Sequence, residues 1–248
     1  MRRVITSITA LTLITAIILA ITFLKSMPSH AASAPRLFSS KNYAGYVNRS
    51  SGSHATKFTS VAASWQVPSV KCSKANQAVA IWIGIDGITH SNDLEQDGIL
   101  IVCNASLHPQ YIAFFEILPA AAQTLNFRVR PGDQISASVN FIGGSVFNFQ
   151  IQDTTQGWNF ARRGNKSGAR LDSADCVVEA PSTVSNHILS LAKFSTVTIS
   201  GCLANGRPID AGPFLMEIVL TSADTRDIKA QPSGLSGGTA FTVTWEHS

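Results

Sequence analysis

Trp82 to Gly98 reads WIGIDGITHSNDLEQDG, and its two halves have opposite character. The lead-in and first half, Ala78 to Asp86, are nearly all apolar, with β-branched and aromatic residues. That is the composition of a strand buried on both faces. The second half is polar and ends in Glu95-Gln96-Asp97-Gly98, just before the apolar run Ile99 to Cys103. A strand, a polar loop and a second strand place Gln96 at the rim of a sheet, where rigid neighbours commonly display function. A solvated hairpin loop is the competing reading of the same residues.

The pattern repeats on either side. Lys57 to Val67 reads as a strand stopped by Pro68, because proline cannot donate to a ladder. Gln110 to Leu118 is apolar except for Glu116, and Pro119 to Gln123 breaks it. Leu125 to Arg130 and Gln134 to Phe141 flank Pro131-Gly132-Asp133, a hairpin signal. Val146 to Gln152 alternates apolar with polar residues, as a strand with one wet face does. Further strands are predicted at 175–179, 195–200, 214–220 and 239–245. No segment has sustained helical periodicity, so the chain is predicted to be an all-β sandwich.

The first 31 residues are set apart. Arg2 and Arg3 precede an uncharged run from Val4 to Leu24, and Ser29-His30-Ala31 has the small residues signal peptidase requires. The reading is a signal peptide over 1–31, a linker over 32–41 and one domain over 42–248. The run is also long enough to span a bilayer, which leaves an uncleaved anchor as the alternative. Either way the chain is exported, with no other membrane association. Arg2, Arg3 and Lys25 account for three of the 19 basic residues, leaving 16 against 15 acidic. No basic stripe with interleaved aromatics occurs, which argues against a nucleic-acid partner. Four cysteines in an exported chain imply two disulfides. Three connectivities are open, and pairing of sequence neighbours is expected: Cys72 with Cys103 and Cys176 with Cys202. His54, His90, His108, His187 and His247 are scattered and make no metal-ligand motif, so neither a metal nor another cofactor is expected.

Ala174-Asp175-Cys176-Val177-Val178-Glu179 ends an otherwise apolar strand on a carboxylate. Partial burial raises the pKa of such a group and suits it to proton transfer. A strand-end glutamate pointing into water is the plain alternative. Taken together, WIGIDG, then Gln-x-Gly, then Ala-acid-x-x-x-Glu resemble the glutamic peptidases, the eqolisin family. Asn42-Tyr43-Ala44-Gly45, Val67-Pro68, Phe114-Phe115-Glu116 with Pro119, Gly132-Asp133, Glu179-Ala180-Pro181-Ser182 and Phe241-Thr242-Val243-Thr244-Trp245 follow in the family's order.

The resemblance implies a lectin-like (concanavalin A-like) sandwich of two antiparallel sheets acting on polypeptides in acid, and a monomer is expected. It also implies a catalytic pair, Gln96 and Glu179, with Trp82, Asp86 and Glu116 along the cleft. For Trp82 and Glu116, core packing and a structural hydrogen bond remain the alternative. The chain departs from the family at Asp97, where threonine is usual. A carboxylate there either raises the pKa of Glu179 or, by strand alternation, points away. Cys176 replaces an aromatic, and a Cys176–Cys202 bond would brace the strand that carries Glu179.

Three other readings compete. Gly234-Leu235-Ser236-Gly237-Gly238 matches the serine-hydrolase elbow string but leads into a strand rather than a helix. Asp93, Glu95 and Asp97 supply carboxylates for a glycosidase, although their spacing puts them on one face. A non-catalytic carbohydrate- or peptide-binding sandwich is the strongest rival, since fold does not fix function.

Overall fold

The computed structural model describes residues 34–51, 55–89, 92–183 and 185–248. The predicted signal or anchor segment, His54 and His90 lie outside the described residues. In chain order the strands are β1 (Arg36–Ser40), β2 (Tyr43–Arg49), β3 (Ser60–Gln66), β4 (Val70–Lys71), β5 (Ala78–Asp86) and β6 (Leu94–Cys103). They continue with β7 (Pro109–Ile117), β8 (Gln123–Leu125), β9 (Gln134–Gly143), β10 (Val146–Asp153), β11 (Trp158–Asn165) and β12 (Ser173–Glu179). The last are β13 (Lys193–Phe194), β14 (Val197–Ala204), β15 (Arg207–Pro208), β16 (Leu215–Thr221), β17 (Ile228–Pro232) and β18 (Phe241–Trp245).

These strands make an all-β sandwich. The front layer runs β16-β2-β12-β5-β6-β7-β8, with β1 added parallel on β16. The back layer runs β11-β10-β9-β3-β14-β18. β17 pairs with both β16 and β18 and so carries the hydrogen bonding from one layer into the other. The principal core lies between the layers: Ile81, Ile83, Ile99 and Val178 from the front meet Trp65, Val139, Phe147 and Phe149 from the back. A second apolar cluster covers the outer face of the front layer, with Val47, Trp82, Phe114, Val177 and Met216. With apolar material on both sides, β5 is buried at all nine positions. Both disulfides form as expected, Cys72–Cys103 and Cys176–Cys202, and the second ties β12 to β14 of the back layer.

Several expectations need correction. Gln96 is not at a rim: β6 begins at Leu94, so Gln96 is paired on both sides, with Gly84 and Glu116. Leu125 to Arg130 is not a hairpin arm, because β8 stops at Leu125 and pairs with β7. Pro131-Gly132 does turn the chain, and the Asp133 carboxylate accepts the Arg130 backbone N–H at 2.6 Å. Part of the predicted linker, 36–40, is strand β1. β11 carries no expectation from the sequence and forms the outer edge beside β10.

Candidate active site

Strand register alone gathers the site. Directly opposed residues of neighbouring strands share a face, and alternate residues of one strand do too. One row across the front layer reads Val47, Asp175, Gly84, Gln96, Glu116. A second reads Gly45, Val177, Trp82, Gly98, Phe114, and a third begins Tyr43, Glu179, Ala80, Leu100. Gln96, Glu116, Trp82 and Glu179 therefore come from four adjacent strands and share the outer face. Gly98 is needed there: a Cβ would meet the Ile81 carbonyl and the Cβ of Trp82 at 2.6 Å. Its bare backbone lets the Trp82 indole lie flat against the sheet.

Glu179 is held by two donors. Trp82 Nε1–H reaches its Oε2 at 2.6 Å, and the Asn42 side-chain amide reaches its Oε1 at 3.1 Å. Ser40 in turn donates its hydroxyl to Asn42 Oδ1 at 3.0 Å. Burial pushes the Glu179 pKa up to about 8; the bonds from Trp82 and Asn42 oppose that rise, and the Glu116 carboxylate adds to it. Tyr43 meets Trp82 edge-on, with ring centroids 5.6 Å apart. Asn42 is a site residue that the sequence shows only as part of an opening motif, since nothing local says which side chain it will touch.

Gln96 is buried and donates Nε2–H to Glu116 Oε2 at 2.6 Å. Its own Oε1 is buried and has no partner among the described residues. Burial raises the Glu116 pKa, partly offset by this bond. Trp82 packs in the outer apolar cluster and bonds Glu179, and Glu116 bonds Gln96, as the structural reading of both residues expects.

Asp97 points the other way, into the space between the layers, beside Ile83 and Phe115. Neither of its oxygens has a well-formed hydrogen bond among the described residues. Burial pushes its pKa well above the usual range. The forces that shift Glu179 come from burial, Trp82, Asn42 and Glu116, so alternation decides the question about Asp97. Glu95 shares that inner face, and burial lifts its pKa to about 8. Two of the three glycosidase carboxylates thus point away from the face of Gln96, and Asp93 pairs with Lys166 at 3.0 Å.

Asp86, expected along the cleft, is buried and engaged within the fold. Its φ is +67°, and its carboxylate accepts the backbone N–H groups of Arg170, Leu171 and Asp172 at 2.6–3.0 Å. It fastens the loop before β12. Asp175, which the sequence marks only as the acid of the Ala-acid-x-x-x-Glu motif, lies on the face of Glu179 and is buried with both oxygens unpartnered among the described residues. A cavity of about 730 Å³ between β7 and β11 is lined by Phe115, Ile117, Pro119 and Arg162, on the opposite side of β7 from Glu116. The GxSxG string lies between β17 and β18, with no helix after it.

A comparison with curated proteins finds no match. Solved structures do match. A scytalido-glutamic peptidase bound to a transition-state analogue inhibitor is 18% identical, over 83% of this chain and 98% of that one, with a TM-score of 0.69. SCP-B, an eqolisin bound to the tripeptide Ala-Ile-His, is 18% identical over the same shares, at 0.64. Aspergilloglutamic peptidase from Aspergillus niger is 21% identical over 68% and 99%, at 0.56. These likenesses bear on the fold. The family model for the Peptidase A4 family matches residues 41–245. With that span covering nearly all of the sandwich, the chain belongs to the Peptidase A4 family, the glutamic peptidases of the eqolisin type, and is a hydrolase of peptide bonds.

Proposed function

We propose that the chain is an exported endopeptidase that works by a Gln96–Glu179 pair on a water nucleophile. The observation that carries this reading is the shared face of four adjacent strands, with Glu179 held by Trp82 and Asn42 and Gln96 held by Glu116. Ionised Glu179 takes a proton from water as that water attacks the scissile carbonyl carbon. The second Nε2–H of Gln96, the one not given to Glu116, stabilises the oxyanion of the tetrahedral intermediate. Protonated Glu179 then hands its proton to the leaving nitrogen, the C–N bond breaks, and the carboxylate is regenerated. A positioned base typically supplies about 10²–10⁴ in rate and one oxyanion donor about 10²–10³.

Acidic conditions suit the fold. Glu95, Asp97 and Asp175 are buried carboxyl groups with raised pKa values, and they are neutral in acid. Stability from such groups is fully present below the ordinary carboxylate pKa and is lost as pH climbs through the raised value. Glu179 pulls the other way, because its base form grows toward pH 8. Activity is therefore bell-shaped in pH, bounded below by Glu179 ionisation and above by loss of the fold. Two disulfides accord with an oxidising location outside the cytoplasm.

The test is cleavage of an unfolded protein across pH 2–8 by wild type, Glu179→Gln and Gln96→Ala. Loss of about 10³-fold or more in Glu179→Gln and 10²-fold or more in Gln96→Ala is expected. Equal cleavage by all three refutes the pair. A folded wild type that cleaves nothing but binds sugars or peptides supports the non-catalytic rival.

A further inference from the structure

We infer that Arg36 and Arg49 form an anion-binding subsite at the far end of the substrate face, taking an acidic side chain of the polypeptide substrate. The inference rests on the peptidase reading above. The first row of the site extends beyond Val47 to Met216 on β16 and then to Arg36 on β1. Arg36 thus stands in the same row, on the same face, as Gln96. Strand β1 ends at Ser40, one residue before the matched family region begins, so it is an addition to that region.

Arg36 and Arg49 converge on one ring. Their Cζ atoms lie 4.7 Å and 4.9 Å from the Phe214 centroid, and the Phe38 ring is 6.1 Å from the same centroid. Among the described residues neither guanidinium has a carboxylate partner. Arg49 Nε is buried with no hydrogen bond at all among them. A buried guanidinium nitrogen without an acceptor is costly. A carboxylate bound there supplies the missing charge partner, with the forked geometry that arginine provides.

Spacing gives the reach. Neighbouring strands lie about 4.8 Å apart, so the three steps from β2 to β6 span about 14 Å and the five from β1 about 24 Å. An extended peptide advances about 3.3–3.6 Å per residue. The acidic residue therefore lies about four to seven residues from the scissile bond.

The experiment uses the full chain. Wild type, Arg36→Gln and Arg49→Gln are each incubated with a peptide pool from a denatured protein mixture, and the cuts are mapped by mass spectrometry. Wild type is expected to show Asp and Glu enriched four to seven residues from the cut, on one side of it, and both variants to lose that enrichment. A matched peptide pair built on the commonest cut then carries cysteic acid or glutamine at the enriched position. The sulfonate stays charged in acid. Wild type is expected to favour the cysteic acid peptide about tenfold in KM, with the ratio falling toward one in Arg36→Gln and in high salt. Cuts by wild type without acidic enrichment overturn the subsite, and so does a folded Arg36→Gln that keeps the wild-type ratio. Altered melting with an unaltered ratio assigns the arginines to bracing β1 and also overturns it. A wild type that cuts nothing at any pH overturns the peptidase reading, and the subsite with it.

Discussion

Gln96 Nε2 donates to Glu116 Oε2 at 2.6 Å, and the partner oxygen of the same amide is left buried and free among the described residues. When ionised, Glu116 only accepts, and the bond then holds the amide with Nε2 toward it. Glutamine at 116 both donates and accepts, and it releases that choice. Glu116→Gln is expected to lower kcat about tenfold with little change in KM. Glu116 also raises the pKa of Glu179, so its loss moves the acid limb of the pH–rate profile to lower pH. Unchanged kcat and an unchanged limb would show that Glu116 does not position Gln96.

Trp82→Phe removes one hydrogen bond to the Glu179 carboxylate and keeps most of the packing. That bond lowers the Glu179 pKa, so without it the pKa rises and the ionised base becomes scarcer at a given acidic pH. The acid limb is expected to move up by about one unit, since hydrogen bonds to charged groups contribute about 1.5–3 kcal/mol. Profiles of kcat/KM for Trp82→Phe and Glu116→Gln should shift in opposite directions. A shift of both the same way counts against the assignment.

Asp97→Thr removes a carboxyl group that has no good partner between the layers among the described residues. Its pKa is raised in the folded chain, so its share of stability is present in acid and lost as pH rises. The variant is expected to be more stable than wild type by about 1–3 kcal/mol at pH 7 and nearly equal at pH 3. Denaturant melts at the two pH values decide this. A gain of equal size at both would mean packing, rather than ionisation, is responsible.

The Cys176–Cys202 bond closes 26 residues and joins β12 to the back layer. A Cys176→Ser, Cys202→Ser double variant is expected to lose about 3 kcal/mol. Because Glu179 ends the same strand, heat inactivation and unfolding should fall together. Activity that survives at wild-type temperatures in the double variant would remove the brace from the account.

Much of the fold is legible in the amino-acid sequence alone. The apolar run of β5, the alternation in β9 and β10 and the cysteine positions each state a local rule that the fold obeys. The colinear motifs from Asn42 to Trp245 point to the family that the match over 41–245 bears out. What stays hidden has physical causes. Asp93 to Asp97 is polar enough to read as a loop, yet Leu94 to Asp97 is strand, with one face toward the site and the other burying carboxyl groups where charge is normally excluded. β1 is a largely exposed edge strand with no hydrophobic alternation, and in β11 the alternation is confined to Trp158 and Phe160. Asp86 reads as part of a motif face, but its positive φ turns the carboxylate toward three backbone amides, a purely tertiary arrangement. Asn42 and Glu179 are 137 residues apart, and only the β2–β12 pairing brings them together.

Glu116, Gln96, Trp82 and Glu179 sit on consecutive strands of one layer, and none of the four sits in a loop. Backbone amides at these positions, held within the strand ladder, are expected to be among the last to take up deuterium. For an engineer the consequence is practical. Connections around the face can be lengthened, shortened or grafted to redirect selectivity while the four proposed site side chains stay on the same scaffold.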